Sequence, residues 1–173
     1  MKTIGNLAST ELIRAIKNSI VKILLNFVSQ TKQVEFITDK QPKLTIEMST
    51  IVVTDYDTAI EYFVDKLGFK LIEDSRIDSD KRWVVVAPSE QASHKLLLAK
   101  AKTSEQSNSI GKQAAGRVAF FLNTNDFETT YSRFKNEDVK FLEEPRVESY
   151  GKVVVFEDIC GNRWDLIEHR LHR

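Results

Sequence analysis

The chain is poor in the residues that most often carry chemistry. It has one cysteine, Cys160, and three histidines in 173 residues. A single cysteine excludes an intrachain disulfide and a cysteine-based zinc site. It also favours a reducing, cytoplasmic compartment. Cys160 reads as a small residue near a turn, because no neighbouring sequence feature supplies the base that a thiol nucleophile needs. His94, His169 and His172 are too scattered to form a ligand set. Charge of one sign is lacking too. The 25 basic and 25 acidic residues cancel, so the whole molecule has no electrostatic pull toward nucleic acid, and no basic aromatic platform or reading helix is present. Long apolar runs are absent. The longest near the N-terminus, residues 20–28, is broken by Lys22 and Asn26 and is too short for a transmembrane helix. No small-residue cleavage pattern follows it, so a signal peptide is not expected.

What is present is an ordinary soluble composition, 42% hydrophobic and 29% charged, in a chain long enough for one medium domain with an appendage. The charge is unevenly spread. Residues 1–45 carry a net +4 and the remainder −4. In that first piece, Leu12, Ile13, Ile16, Ile20, Ile23, Leu24, Phe27 and Val28 recur at three- and four-residue steps, which predicts an amphipathic helix capped by Ser9 or Thr10. A polar connector follows, with a short strand over residues 34–38 and a stop at Pro42.

From residue 44 the pattern changes. The reading is a strand to residue 54, an N-cap at Asp55, a short helix through Leu67 stopped by Gly68, and strands over residues 69–73, 83–87 and 96–99. A polar linker over residues 101–115, with room for a short helix, leads to the same order again. A strand covers residues 118–122, Asp126 or Thr124 caps a helix carrying Phe127 and Phe134, and strands follow at 139–142, 152–156 and 164–167. Asp55 and Asp126 are 71 residues apart, as are Phe63 and Phe134. Val84 and Val154 are 70 apart, and a unit of strand, helix and three strands at this near-constant offset points to duplication.

Four stretches carry a family resemblance: VVTDYDTAIEYFVDKLGF (residues 52–69), RWVVVAP (82–88), GRVAFFLNTNDFETTYSRF (116–134) and EEPRVESYGKVVVFEDICGNRWDLIE (143–168), the last with an Asp-x-x-Gly-Asn turn. Together they resemble vicinal-oxygen-chelate domains of the glyoxalase and bleomycin-resistance type over residues 44–169. The resemblance implies an α+β fold of two βαβββ modules forming a curved eight-stranded cup. The organisation is then an N-terminal helix and connector (1–43) and a domain (44–173) with modules at 44–100 and 116–169. It also implies a concave pocket for a small organic ligand, often at a homodimer.

Enzymes of that superfamily hold one divalent metal on His, Glu or Gln ligands with open positions. The four corresponding positions here are Met48, Leu97, Arg117 and Asp165. Only Asp165 suits a hard cation, so no metal cofactor is expected. The expected function is metal-free binding of a small molecule. The alternative is a lyase, isomerase or dioxygenase with an unusual or absent metal site. Arg117 either grips an acidic ligand group by a two-pronged contact or pairs with Asp165 across neighbouring strands. Trp83 is placed to stack on a ligand or to pack in the core. Trp164, one residue from Asp165, belongs to the opposite sheet face. Gln113 in the linker and Tyr150 at a hairpin complete the expected ligand-binding set of Arg117, Asp165, Trp83, Gln113 and Tyr150. The N-terminal helix covers its own domain, joins a dimer interface, or lies on lipid.

Overall fold

The computed structural model describes residues 14–29 and 42–170. The chain divides into two compact units at Thr45/Ile46. In the first, residues 14–29 form helix α1. Ile16, Ile20, Ile23, Leu24 and Phe27 on it are all more than half exposed. The expected cap at Ser9 or Thr10 and the strand at 34–38 lie outside the described residues.

The second unit is built from the expected duplicated module. The first copy runs β1 (Met48–Val53), α2 (Tyr56–Glu61, continued by a π-helical turn over Tyr62–Lys66), β2 (Lys70–Arg76), β3 (Arg82–Ala87) and β4 (Lys95–Lys100). A short helix, α3 (Ser104–Ser109), lies in the linker. The second copy runs β5 (Val118–Asn123), α4 (Phe127–Asn136), β6 (Lys140–Phe141), β7 (Arg146–Glu148), β8 (Gly151–Glu157) and β9 (Arg163–His169). Sheet order is β1-β4-β3-β2 in one module and β5-β9-β8-β6 in the other, with β7 also on β8. Each module closes by pairing its first and last strands in parallel.

Nine strands appear where eight are expected, because one is interrupted. β6 and β7 both pair with β8, at its two ends. Pro145 lies between them and cannot donate to a ladder. Glu143 fills the gap: its Oε1 accepts from the Val155 amide at 3.1 Å, in place of a strand carbonyl.

Local chemistry explains the helices. Asp55 accepts from the amides of Asp57 and Thr58, and Asp126 from that of Thr129, satisfying orphan donors at the two helix starts. These bonds hold both carboxyls below their ordinary range. Gly68 follows α2 with φ +72°, the left-handed turn that favours glycine.

One core collects the inward faces of both sheets and the buried sides of α2 and α4, including Ile51, Val84, Leu98, Val154 and Leu166. Phe63 of α2 packs on Trp164 of β9 with ring centroids 6.0 Å apart, and Phe134 of α4 on Phe156 of β8 at 5.5 Å. The helix ends are joined across the modules. Arg133 of α4 donates to the carbonyls of Lys66 and Leu67, and Lys66 donates to the carbonyl of Glu137. Each module thus supplies the cation for the other's C-terminal carbonyls.

Because strand side chains alternate, burying Ile51, Val84, Leu98, Trp164 and Leu166 turns Thr50, Val85, Leu97 and Asp165 away from this core. Val85, Val153 and Ile167 are buried but lie outside the core cluster, as that alternation requires.

Candidate functional site

The Asp-x-x-Gly-Asn turn sets the register of β9. Asp158 is buried, and its carboxylate collects four donors. Oδ1 accepts from the amides of Cys160 and Asn162, and Oδ2 from Asn162 Nδ2 and Trp164 Nε1. Gly161 completes the turn at φ +91°. With its indole N–H held by Asp158, Trp164 enters the core, 3% exposed. Asp165 must then face the other side of the sheet, as the sequence predicts.

On that side lies a cavity of about 700 Å³ lined by Phe121, Leu142, Val155, Asp165, Glu143, Arg117 and Arg163, among others. The register explains its floor. Asp165 sits between Phe121 of β5 and Val155 of β8. Asp165 is 7% exposed, and its Oδ1 is buried with no hydrogen-bond partner. Burial pushes its carboxyl up, and the charge of Arg146 opposes that shift. Arg146 is itself occupied. It pairs with Glu143, and its Nε donates to Glu148 at 3.0 Å.

The anticipated Arg117–Asp165 ion pair does not form. Arg117 is exposed; its amide donates to the Ala114 carbonyl, and its side chain makes no ion pair with any described residue. It follows Gly116, whose carbonyl is held by Arg163 at 2.8 Å, and it stands at the mouth of the cavity. The basic group that faces Asp165 is Arg146. Sequence reasoning missed it because it comes from the short strand beyond Pro145.

The matching face of the first module carries a smaller cavity of about 410 Å³. Trp83, Leu97 and Thr50 line it. Trp83 is half-buried there and belongs to the open face. Gln113 has a specific job. Its Oε1 accepts from the Val52 amide at 3.2 Å and its Nε2 donates to the Thr50 carbonyl at 2.7 Å. The side-chain amide thereby imitates a neighbouring strand on the outer edge of β1. Tyr150 lies on the β7–β8 hairpin, exposed, with its ring 6.5 Å from that of His169.

The residues at the superfamily's metal positions do not fit a catalytic metal. Leu97 and Asp165 line separate cavities, and Met48, Leu97 and Arg117 supply no hard donor. Among the described residues, no three His, Cys, Asp or Glu side chains converge. His94 is committed to the Ile46 carbonyl and the Ser49 hydroxyl, both at 3.1 Å. Cys160 is part-buried, and burial with the nearby Asp158 pushes its thiol up to about 12, which leaves almost no thiolate at neutral pH. No helix among the described residues is long and apolar enough to cross a membrane.

Comparison with known proteins agrees with this architecture. An uncharacterised protein of Shewanella frigidimarina (strain NCIMB 400) is 49% identical over 127 residues, spanning 73% of this chain and 94% of that protein. The crystal structure of UcmS2 shares 27% identity with a TM-score of 0.64, over 73% of this chain and 98% of its own. TnmS3, an antibiotic-binding protein from Streptomyces sp. CB03234, has the same fold at 21% identity and a TM-score of 0.61, over 75% and 99%. The family model for the glyoxalase/bleomycin resistance protein/dioxygenase superfamily matches residues 45–166. By that match, which covers most of the chain, the protein belongs to the glyoxalase/bleomycin resistance protein/dioxygenase superfamily.

Proposed function

We propose that the protein is a metal-free small-molecule-binding member of this superfamily, holding an organic ligand against the open face of the second module. The observation that carries this reading is the β5-β9-β8 cavity, with one buried, unsatisfied carboxylate set among apolar side chains. Organic-ligand sites combine a mostly apolar lining with a few placed polar groups, in volumes of about 300–1,000 Å³. The antibiotic-binding role of TnmS3 supports the same direction. Arg117 and Asp165 are the polar lining at the mouth and the floor. Trp83 belongs to the facing half, which a second copy supplies in a homodimer. Gln113 and Tyr150 shape the edges. The N-terminal helix lies at the dimer interface.

The test is elemental analysis of protein purified without chelators, before and after incubation with nickel, zinc, manganese and iron. Absence of metal at stoichiometric level, with saturable uptake of a hydrophobic dye, is the expected result. One bound divalent ion per chain would overturn the metal-free reading. Light scattering on the full chain, and on a chain lacking residues 1–40, checks the dimer. An unchanged soluble dimer in the shortened chain would remove the helix from the interface.

A further inference from the structure

The charges on the second module's open face are unequally matched, and the inequality selects a ligand chemistry. Arg146 contacts both Glu143 and Glu148, and Glu143 also receives the Val155 amide. Those three side chains form one charged cluster, in which Arg146 Nη1 lies against Glu143 without making a hydrogen bond. Asp165 is left over: more than nine-tenths buried, lining the cavity, and with an oxygen that no described residue satisfies. The cations lining the cavity stand elsewhere. Arg163 is exposed and tied to the Gly116 carbonyl, and Arg117 is exposed at the mouth.

Beside Asp165 the strand register places Phe121, whose side of the sheet is open and which is 65% exposed. An exposed phenylalanine next to a buried acid offers a flat apolar surface and a negative point together. An aromatic face also attracts a cation lying over it. A buried acceptor without a donor is a defect that a ligand nitrogen would repair.

Resting on the small-molecule reading above, we infer that the cavity recognises a basic nitrogen carried on a flat or apolar body. The nitrogen lies against Asp165, and the body lies on Phe121 and Leu142. Arg117 is then no anchor for an acidic ligand. It is a like-charged neighbour of the ligand at the mouth, and its removal favours binding.

Two aromatic dyes of similar size separate the possibilities: proflavine, a cationic aromatic amine, and anilinonaphthalene sulfonate, an anionic one. Each is titrated into the full-length protein and followed by fluorescence, with circular dichroism to confirm folding. The expected result is saturable proflavine binding that Asp165→Asn weakens about tenfold or more, the effect of losing a charge-assisted contact, and that Arg117→Ala tightens. Preferential binding of the sulfonate, abolished by Arg117→Ala, would overturn this inference and leave the small-molecule reading intact. Proflavine binding indifferent to Asp165→Asn would do the same. Failure of both dyes to bind would overturn the small-molecule reading and this inference with it. If Asp165→Asn does not fold, Arg117→Ala alone decides, since the two ligand chemistries require opposite changes.

Discussion

The two modules share a frame and differ in what they expose. At equivalent places Leu97 is flanked by Thr50 and Val85, and Asp165 by Phe121 and Val155. Inward, the copies match: Phe63 and Phe134 are both fully buried aromatics on the helices. Outward, the first module sets Thr50, Leu97 and Trp83 in a cavity whose charged lining is basic, Lys81, Arg82, Lys100 and Lys102, while the second holds an acid among Phe121, Leu142 and Val155. The fold constrains the core face of a duplicated unit by packing density, where loss of even a methylene is felt. It leaves the other face free to acquire different chemistry.

The comparison is broken most easily in the core. Phe63→Ala and Phe134→Ala should each cost about 3–5 kcal/mol by denaturant unfolding, the range for emptying a fully buried aromatic site. Very unequal losses would contradict the equivalence. Next in size is Asp158→Ala, which strands four donors of the β8–β9 turn. It should cost about 2–4 kcal/mol, the range for removing a buried charged acceptor. It should also weaken dye binding by loosening Asp165. A smaller effect is expected of Gln113→Ala, about 1 kcal/mol for two partly exposed hydrogen bonds. Gln113→Ala should also speed amide exchange at Val52, read by hydrogen exchange.

The smallest effect sharpens the contrast between floors. Asp165 has its carboxyl raised above the ordinary 3.8 by burial, so the native protein holds that proton more tightly than the unfolded chain does. Stability from this group is fully present below 3.8 and is lost as pH rises through the folded value, then stays level. Asp165→Asn should flatten that falling segment of the stability curve above pH 3.8. A Leu97→Asn control should leave the segment in place.

Much of this was legible in the sequence. The 71-residue offset between Asp55 and Asp126 marks two helix starts, and both are N-caps in the structure. The alternation Trp164–Asp165 separates core from open face. The pairing on that face was not legible. Arg117 and Asp165 occupy positions that suggest a bridge, yet Asp165 has no ion-pair partner, and the cation whose charge acts on it is Arg146, brought in by a three-residue strand too short to show a period. Gln113 looks like a residue of a polar loop. Its role depends on the exposed edge of β1, about 60 residues away in the chain, as the Val52 contact shows. A β2-like strand broken at Pro145 appears as one strand and a loop, because the carboxylate that bridges the gap leaves no mark in hydropathy.

The exchange of Lys66 and Arg133 between helix ends has a consequence for cooperativity. Both helix ends keep backbone donors from their own module, but the carbonyls of Lys66, Leu67 and Glu137 take theirs from the other module, and Phe63 and Trp164 complete each other's packing across the same boundary. A module that opened alone would leave its neighbour's carbonyls and aromatic faces in water. The two modules from residue 46 to residue 170 should therefore melt together, in one calorimetric transition, although each repeats the motif of the other.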